Sequence, residues 1–98
     1  MKVNILVACV NQDILGVILR VTNANENWNA VGSSTLSAAM EALTTTRFDL
    51  LLIGSGFTEA EEQRLVQYAQ TTFPDLRISM HFGGGSGLLS AEIYQALS

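Results

Sequence analysis

"VNILVAC", residues 3–9, and "FDLLLI", residues 48–53, decide how this chain folds. Each run is short, mostly apolar and bounded by turn-forming residues. A strand with one wet face alternates apolar and polar residues, whereas a strand covered on both faces does not, so both runs read as central strands of a sheet. Between them the period changes. From Gln12 to about Asn23, the residues Ile14, Ile18 and Val21 form one helical stripe with Leu15 and Leu19 beside it. Trp28 to Val31 reads as a short strand, and Leu36, Met40 and Leu43 mark a second helix to about Thr44. Asn11 is placed to cap the first helix and Ser34 or Thr35 the second, because a side-chain oxygen there can accept from an unpaired first-turn N–H.

Downstream, Thr58-Glu59-Ala60-Glu61 has the form of a capping box, which predicts a third helix to about Thr72. Glu59, Glu61 and Glu62 then complement the helix dipole and need no catalytic explanation. Pro74 separates this helix from a strand over Leu76–Phe82, where Leu76, Ile78, Met80 and Phe82 alternate with Arg77, Ser79 and His81. A closing helix with Leu89, Ile93 and Leu97 in line follows the stretch "GGGSG", residues 83–87.

The order βαβαβαβα predicts an α/β fold, a doubly wound parallel sheet in three layers, and right-handed crossovers give the strand order 2-1-3-4. The first helix lies on one face and the second and third on the other, which leaves the closing helix to cover the rest of the first face. Strand four is then an edge strand with one wetter face.

At 98 residues the sequence suits a single domain, residues 1–98, and 48% hydrophobic against 14% charged residues fits a well-covered sheet. A net charge of −4 with five scattered basic residues argues against nucleic acid, whose phosphates call for clustered Lys and Arg. No apolar run approaches the roughly 20 residues that span a bilayer, so no membrane contact is expected. The single cysteine and the absence of a leader pattern point to the cytoplasm.

Three stretches, "NILVACVNQDI", "VGSSTLSAAMEALTTTRFDLLLIG" and "FPDLRISM", resemble the first strand and acidic corner, the second helix with the third strand, and the fourth strand of bacterial response-regulator receiver domains, which have the flavodoxin-like, Rossmann-like architecture. The resemblance covers nearly the whole chain. It implies an acidic pair for Mg²⁺ after strand one, an acceptor aspartate ending strand three, a Ser or Thr after strand four and a Lys after strand five. These positions fall here on Cys9 and Val10, on Gly54 and near His81, while the Lys has no counterpart. Neither Ser55 nor Asp13 restores the set. A serine forms an ester rather than a labile acyl phosphate, and one carboxylate is a poor site for a hard cation. The resemblance therefore implies a degenerate receiver, a pseudo-receiver retained for binding.

Two other families of this fold share fragments. Cobalamin-binding domains carry Asp-x-His-x-x-Gly, then Ser-x-Leu, then Gly-Gly, in the order of Asn11–Gly16, Ser55–Phe57 and Gly83-Gly84, but Asp13 stands at the histidine position and a carboxylate is a poor cobalt ligand. The cysteine-phosphorylated subunits of sugar phosphotransferase systems end strand one in a Cys, as Cys9 does here, with a Gly/Ser/Thr-rich loop that "CVNQDIL" does not match.

In such sheets ligands bind beyond the carboxyl ends of the strands, where the order reverses. That edge collects Cys9, Asn11, Gly54, Ser55, Gly56, His81, Gly83, Gly84, Gly85 and Ser86 as candidate ligand contacts, with a small anion as the ligand that backbone N–H groups of a glycine loop would suit. The same glycines also serve a turn that packs the last helix closely, which is the stronger reading because no P-loop Lys is present. His81 reads as structural, Cys9 as a small buried hydrophobe, and Trp28 as part of an exposed turn. Phe82, Leu88 and Tyr94 are expected near the strand-four edge and are candidates for an interface. No metal or cofactor is expected. The leading expectation is a non-enzymatic signalling protein of the bacterial cytoplasm acting through a protein partner or as a homodimer. A phosphate binder or phosphocarrier using Cys9 and the 83–87 loop is the alternative.

Overall fold

The structure, a computed structural model, describes residues 2–80 and 89–97. The elements run β1 (Val3–Ala8), α1 (Gln12–Asn23), β2 (Trp28–Ser33), α2 (Leu36–Thr45), β3 (Leu50–Ile53), α3 (Glu59–Thr72), β4 (Arg77–Met80) and α4 (Leu89–Leu97). All pairings are parallel, in the order β2-β1-β3-β4. The α/β architecture and strand order are those expected from the sequence.

The two central strands show why their sequences lack alternation. In β1, Ile5 and Val7 face one core while Leu6 and Ala8 face the other, and in β3 Leu50 and Leu52 oppose Leu51 and Ile53. The first core is completed by Ile18 of α1 and Ile93 of α4, the second by Ala39 and Leu43 of α2 and Leu65 and Ala69 of α3. Thus α4 does cover the half of the first face that α1 leaves. Every apolar residue of β1 from Ile5 onward is removed from water on one side or the other, which contributes about 25 cal/mol per Å² of apolar surface.

The helix starts are held by their caps. Asn11 Oδ1 accepts from the Ile14 N–H at 3.1 Å, and Thr35 Oγ1 from the Ala38 N–H at 3.1 Å. The Thr58 box closes in both directions: the Glu61 N–H donates to Thr58 Oγ1 at 3.1 Å, and the Thr58 N–H to Glu61 Oε1 at 3.0 Å. Each such cap stabilises its helix by about 1 kcal/mol.

Two expectations are corrected. Trp28 is not in an exposed turn: it begins β2, is 4% exposed and belongs to the first core. Its register opposite Val3 puts it on the same face as Ala30, under α1 and α4, where the polar Asn25–Asn27 turn ends. Tyr94 is not at the β4 edge. Its ring lies on Trp28 with centroids 4.7 Å apart, and its hydroxyl accepts from Asn25 Nδ2 at 3.0 Å. The cause is the position of α4, whose Ile93 sits over Ile5, Val7, Leu50 and Leu52, so that the adjacent residue reaches toward β2. The β4 side of α4 is tied instead at its end, where Arg77 Nη1 donates to the Leu97 carbonyl at 2.6 Å.

At Trp28 and Ala30 the outer edge of β2 is engaged by loop and side chain. Asn23, the last residue of α1, folds its amide against Ala30, with Nδ2 donating to the Ala30 carbonyl at 3.1 Å and Oδ1 accepting from its N–H at 2.8 Å. The Trp28 N–H donates to the Asn25 carbonyl at 3.1 Å. An amide side chain here takes the place of a neighbouring strand.

Candidate functional site

The carboxyl ends of β1 and β3 lie side by side, and from them the chain departs to opposite faces, into α1 and toward α3. This is the switch point at which doubly wound sheets form crevices. Three backbone bonds pin it: the Cys9 N–H to the Ser33 carbonyl at 2.9 Å, the Val10 N–H to the Ser55 carbonyl at 3.1 Å, and the Gly54 N–H to the Ala8 carbonyl at 2.7 Å.

Side chains fill what these bonds enclose. Cys9 is fully buried, and its thiol points at the carbonyls of Asn11 and Ser55, 3.4 and 3.5 Å away. A Cβ built on Gly54 would stand 3.0 Å from both Cβ and Sγ of Cys9. On the outer side, Gly56 has φ of 104°, and a Cβ there would approach Val10 Cβ to 2.6 Å. Gly56 thus meets two requirements that favour glycine, a backbone at positive φ and an approach to Val10 too close for any Cβ.

The chemistry available follows from this closure. A thiol acts as a nucleophile through its exposed thiolate, whereas Cys9 is fully buried and donates weakly to two carbonyl oxygens. Asp13 is exposed in the first turn of α1. Among the described residues, no group of three His, Cys, Asp or Glu side chains is placed to hold a metal ion.

Of the candidate contacts, the structure brings Cys9, Asn11, Gly54 and Ser55 together. The Asn11 side chain is engaged as the α1 cap, and Ser55 is exposed. His81, Gly83, Gly84, Gly85 and Ser86, with Phe82 and Leu88 of the expected interface, lie outside the described residues. Sequence reasoning missed the complementary pairs Cys9–Gly54 and Val10–Gly56. The signal for them was the Gly-Ser-Gly step at 54–56 following directly on a central strand. A pocket of about 690 Å³ lies at the opposite, amino-terminal end of β3 and β4, floored by Leu43, Phe48, Phe73 and Leu76.

With this topology and this corner, the chain has the fold of CheY-like receiver domains. It is similar over its whole length to a CheY-like response regulator receiver domain protein from Methanospirillum hungatei JF-1, with a TM-score of 0.76 and 18% identity, covering 78% of that chain. It also matches the non-phosphorylated receiver domain of the stress response regulator RcsB from Escherichia coli, with a TM-score of 0.73 and 17% identity over 98% of this chain and 76% of that one. A response regulator receiver protein from Pseudomonas putida gives a TM-score of 0.73 at 14% identity, over 98% and 80% of the two chains. At these identities the likeness is one of fold. No family model and no curated protein sequence matches the chain. Among the described residues no helix is long and apolar enough to cross a membrane.

Proposed function

We propose that this chain is a signalling module of receiver fold that works through protein contact, without enzymatic activity and without carrying a phosphoryl group at the end of β3. The observation that carries this reading is the contact between Cys9 and Gly54. Phosphoryl transfer at this corner calls for an acceptor carboxylate on β3 and carboxylates after β1 to hold the cation that offsets phosphoryl charge. Here the position ending β3 has no side chain, and the space one would occupy is taken by a buried thiol. A glycine at this position with a thiol packed against it supports the reading of a chain that works without an acceptor there. The phosphocarrier alternative draws no support from a thiol fully buried against two carbonyls.

Incubation with acetyl phosphate and Mg²⁺ followed by intact mass spectrometry tests the reading. The expected result is an unmodified chain. A stoichiometric phosphoryl adduct on any residue would overturn it.

A further inference from the structure

The α2–β3 and α3–β4 turns together line the cavity of about 690 Å³ at the amino-terminal end of β3 and β4, away from the Cys9 corner at the carboxyl ends. Small-molecule sites have volumes of roughly 300–1,000 Å³, a largely apolar lining and a few polar groups that fix orientation. The floor here is apolar: Leu43 and Phe48 are buried, and Phe73 and Leu76 are half-buried. Both turns are set by hydrogen bonds that need no ligand. In the first, the Thr46 N–H donates to the Ala42 carbonyl at 3.0 Å and the Asp49 N–H to the Asn4 carbonyl at 2.8 Å. In the second, the Phe73 N–H donates to the Ala69 carbonyl at 2.8 Å and the Leu76 N–H to the Phe73 carbonyl at 3.0 Å, around Pro74.

Charge decides what fits. Arg47, Asp49, Asp75 and Arg77 all line the cavity, and two of them are already engaged. Arg77 Nη1 donates to the Leu97 carbonyl, and Asp49 Oδ2 accepts from the Asn4 N–H at 2.9 Å. Arg47 on one turn and Asp75 on the other have no hydrogen-bond or ion-pair partner among the described residues, and they do not pair with each other. The helix ends narrow the choice further. Both α2 and α3 stop at the cavity, at Thr45 and Thr72, with no basic residue in the last turn, so the negative ends of two helix dipoles lie there. These ends disfavour a polyanion such as a nucleotide, and the Arg47 guanidinium opposes a bare cation.

We propose that this cavity binds a zwitterion with an apolar body, an amino acid or dipeptide with a large apolar side chain. Its carboxylate takes the Arg47 guanidinium, its ammonium takes the Asp75 carboxylate on the side where α3 ends, and its side chain lies on Phe48 and Phe73. The site goes beyond the protein-contact reading and is independent of it.

The test is calorimetric titration of the full chain with L-phenylalanine and with L-leucyl-L-phenylalanine. Saturable binding of at least one is expected below about 10 mM, and the tighter of the two tells a free amino acid from a short peptide. Blocking the tighter ligand by N-acetylation or by C-amidation should weaken it at least about threefold, since each block removes one charge. Asp75→Asn should weaken the unblocked ligand and leave the acetylated one unchanged, whereas Arg47→Gln should weaken the unblocked ligand and leave the amide unchanged. Both residues are exposed, and the emission of Trp28, buried in the first core, reports that each variant is folded. Backbone amide shifts on binding should gather at Phe48, Phe73 and Asp75. Absence of saturation with either ligand would overturn the proposal. So would equal affinity for blocked and unblocked forms, variants that weaken all forms alike, or shifts confined to Cys9 and Ser55. A chain that binds neither ligand would leave the acetyl phosphate result untouched, so the two readings fail separately.

Discussion

Cys9 and Gly54 share one small volume: a Cβ on Gly54 would fall 3.0 Å from Cβ and Sγ of Cys9, closer than side-chain carbons ordinarily approach. The reason is contact and not backbone, because the left-handed conformation is confined to Gly56 among the described glycines. The structure therefore couples the position that follows β1 with the position that follows β3.

That coupling is measurable. Gly54→Ala should lower stability to urea by about 1–3 kcal/mol, the usual cost of overpacking a filled core. In a Cys9→Gly background the same substitution should cost at least about 1 kcal/mol less, because residues in contact are not additive. Equal costs in the two backgrounds would show that the contact is not what excludes a side chain at 54.

Asn23 supplies a second expectation. Asn23→Ala removes both bonds to Ala30 and opens the outer edge of β2, for a loss of about 1–2 kcal/mol. Amide exchange at Ala30 should accelerate in the folded protein, where that N–H now donates to Asn23 Oδ1. Exchange at Ala30 unchanged by the substitution would mean that Asn23 does not close this edge.

Tyr94 and Trp28 provide the third. Tyr94→Ala should expose the only tryptophan, shift its emission to the red and destabilise the domain by about 1–3 kcal/mol through lost ring contact and apolar burial. Tyr94→Phe keeps the ring and loses the bond from Asn25, so emission should stay near that of the wild type. A red shift of equal size in both variants would assign the effect to the hydroxyl instead of the ring contact.

The amino-acid sequence by itself determined the eight elements, their order, three caps and the central place of β1 and β3. These features rest on local physics: an apolar run with no alternation, a Thr-x-x-Glu box, an asparagine one position before a helix. With right-handed crossovers, element order alone also led to the order β2-β1-β3-β4. The gathering of Cys9, Asn11, Gly54 and Ser55 was legible for the same reason, since the ends of paired strands must meet.

Only the tertiary structure decided which side chains occupy shared space. Trp28 follows a polar Asn-Glu-Asn turn and reads as exposed, and it is buried because α4 brings Tyr94 over it from 66 positions down the chain (94 − 28). Asn23 has no sequence signature as a strand substitute, and its role exists because the α1–β2 turn returns the chain beside it. The Cys9 thiol meets the Ser55 carbonyl from 46 positions away. Propensity and periodicity act over a turn or two of chain, whereas the closing of a corner or an edge depends on atoms that only packing brings within a few ångströms.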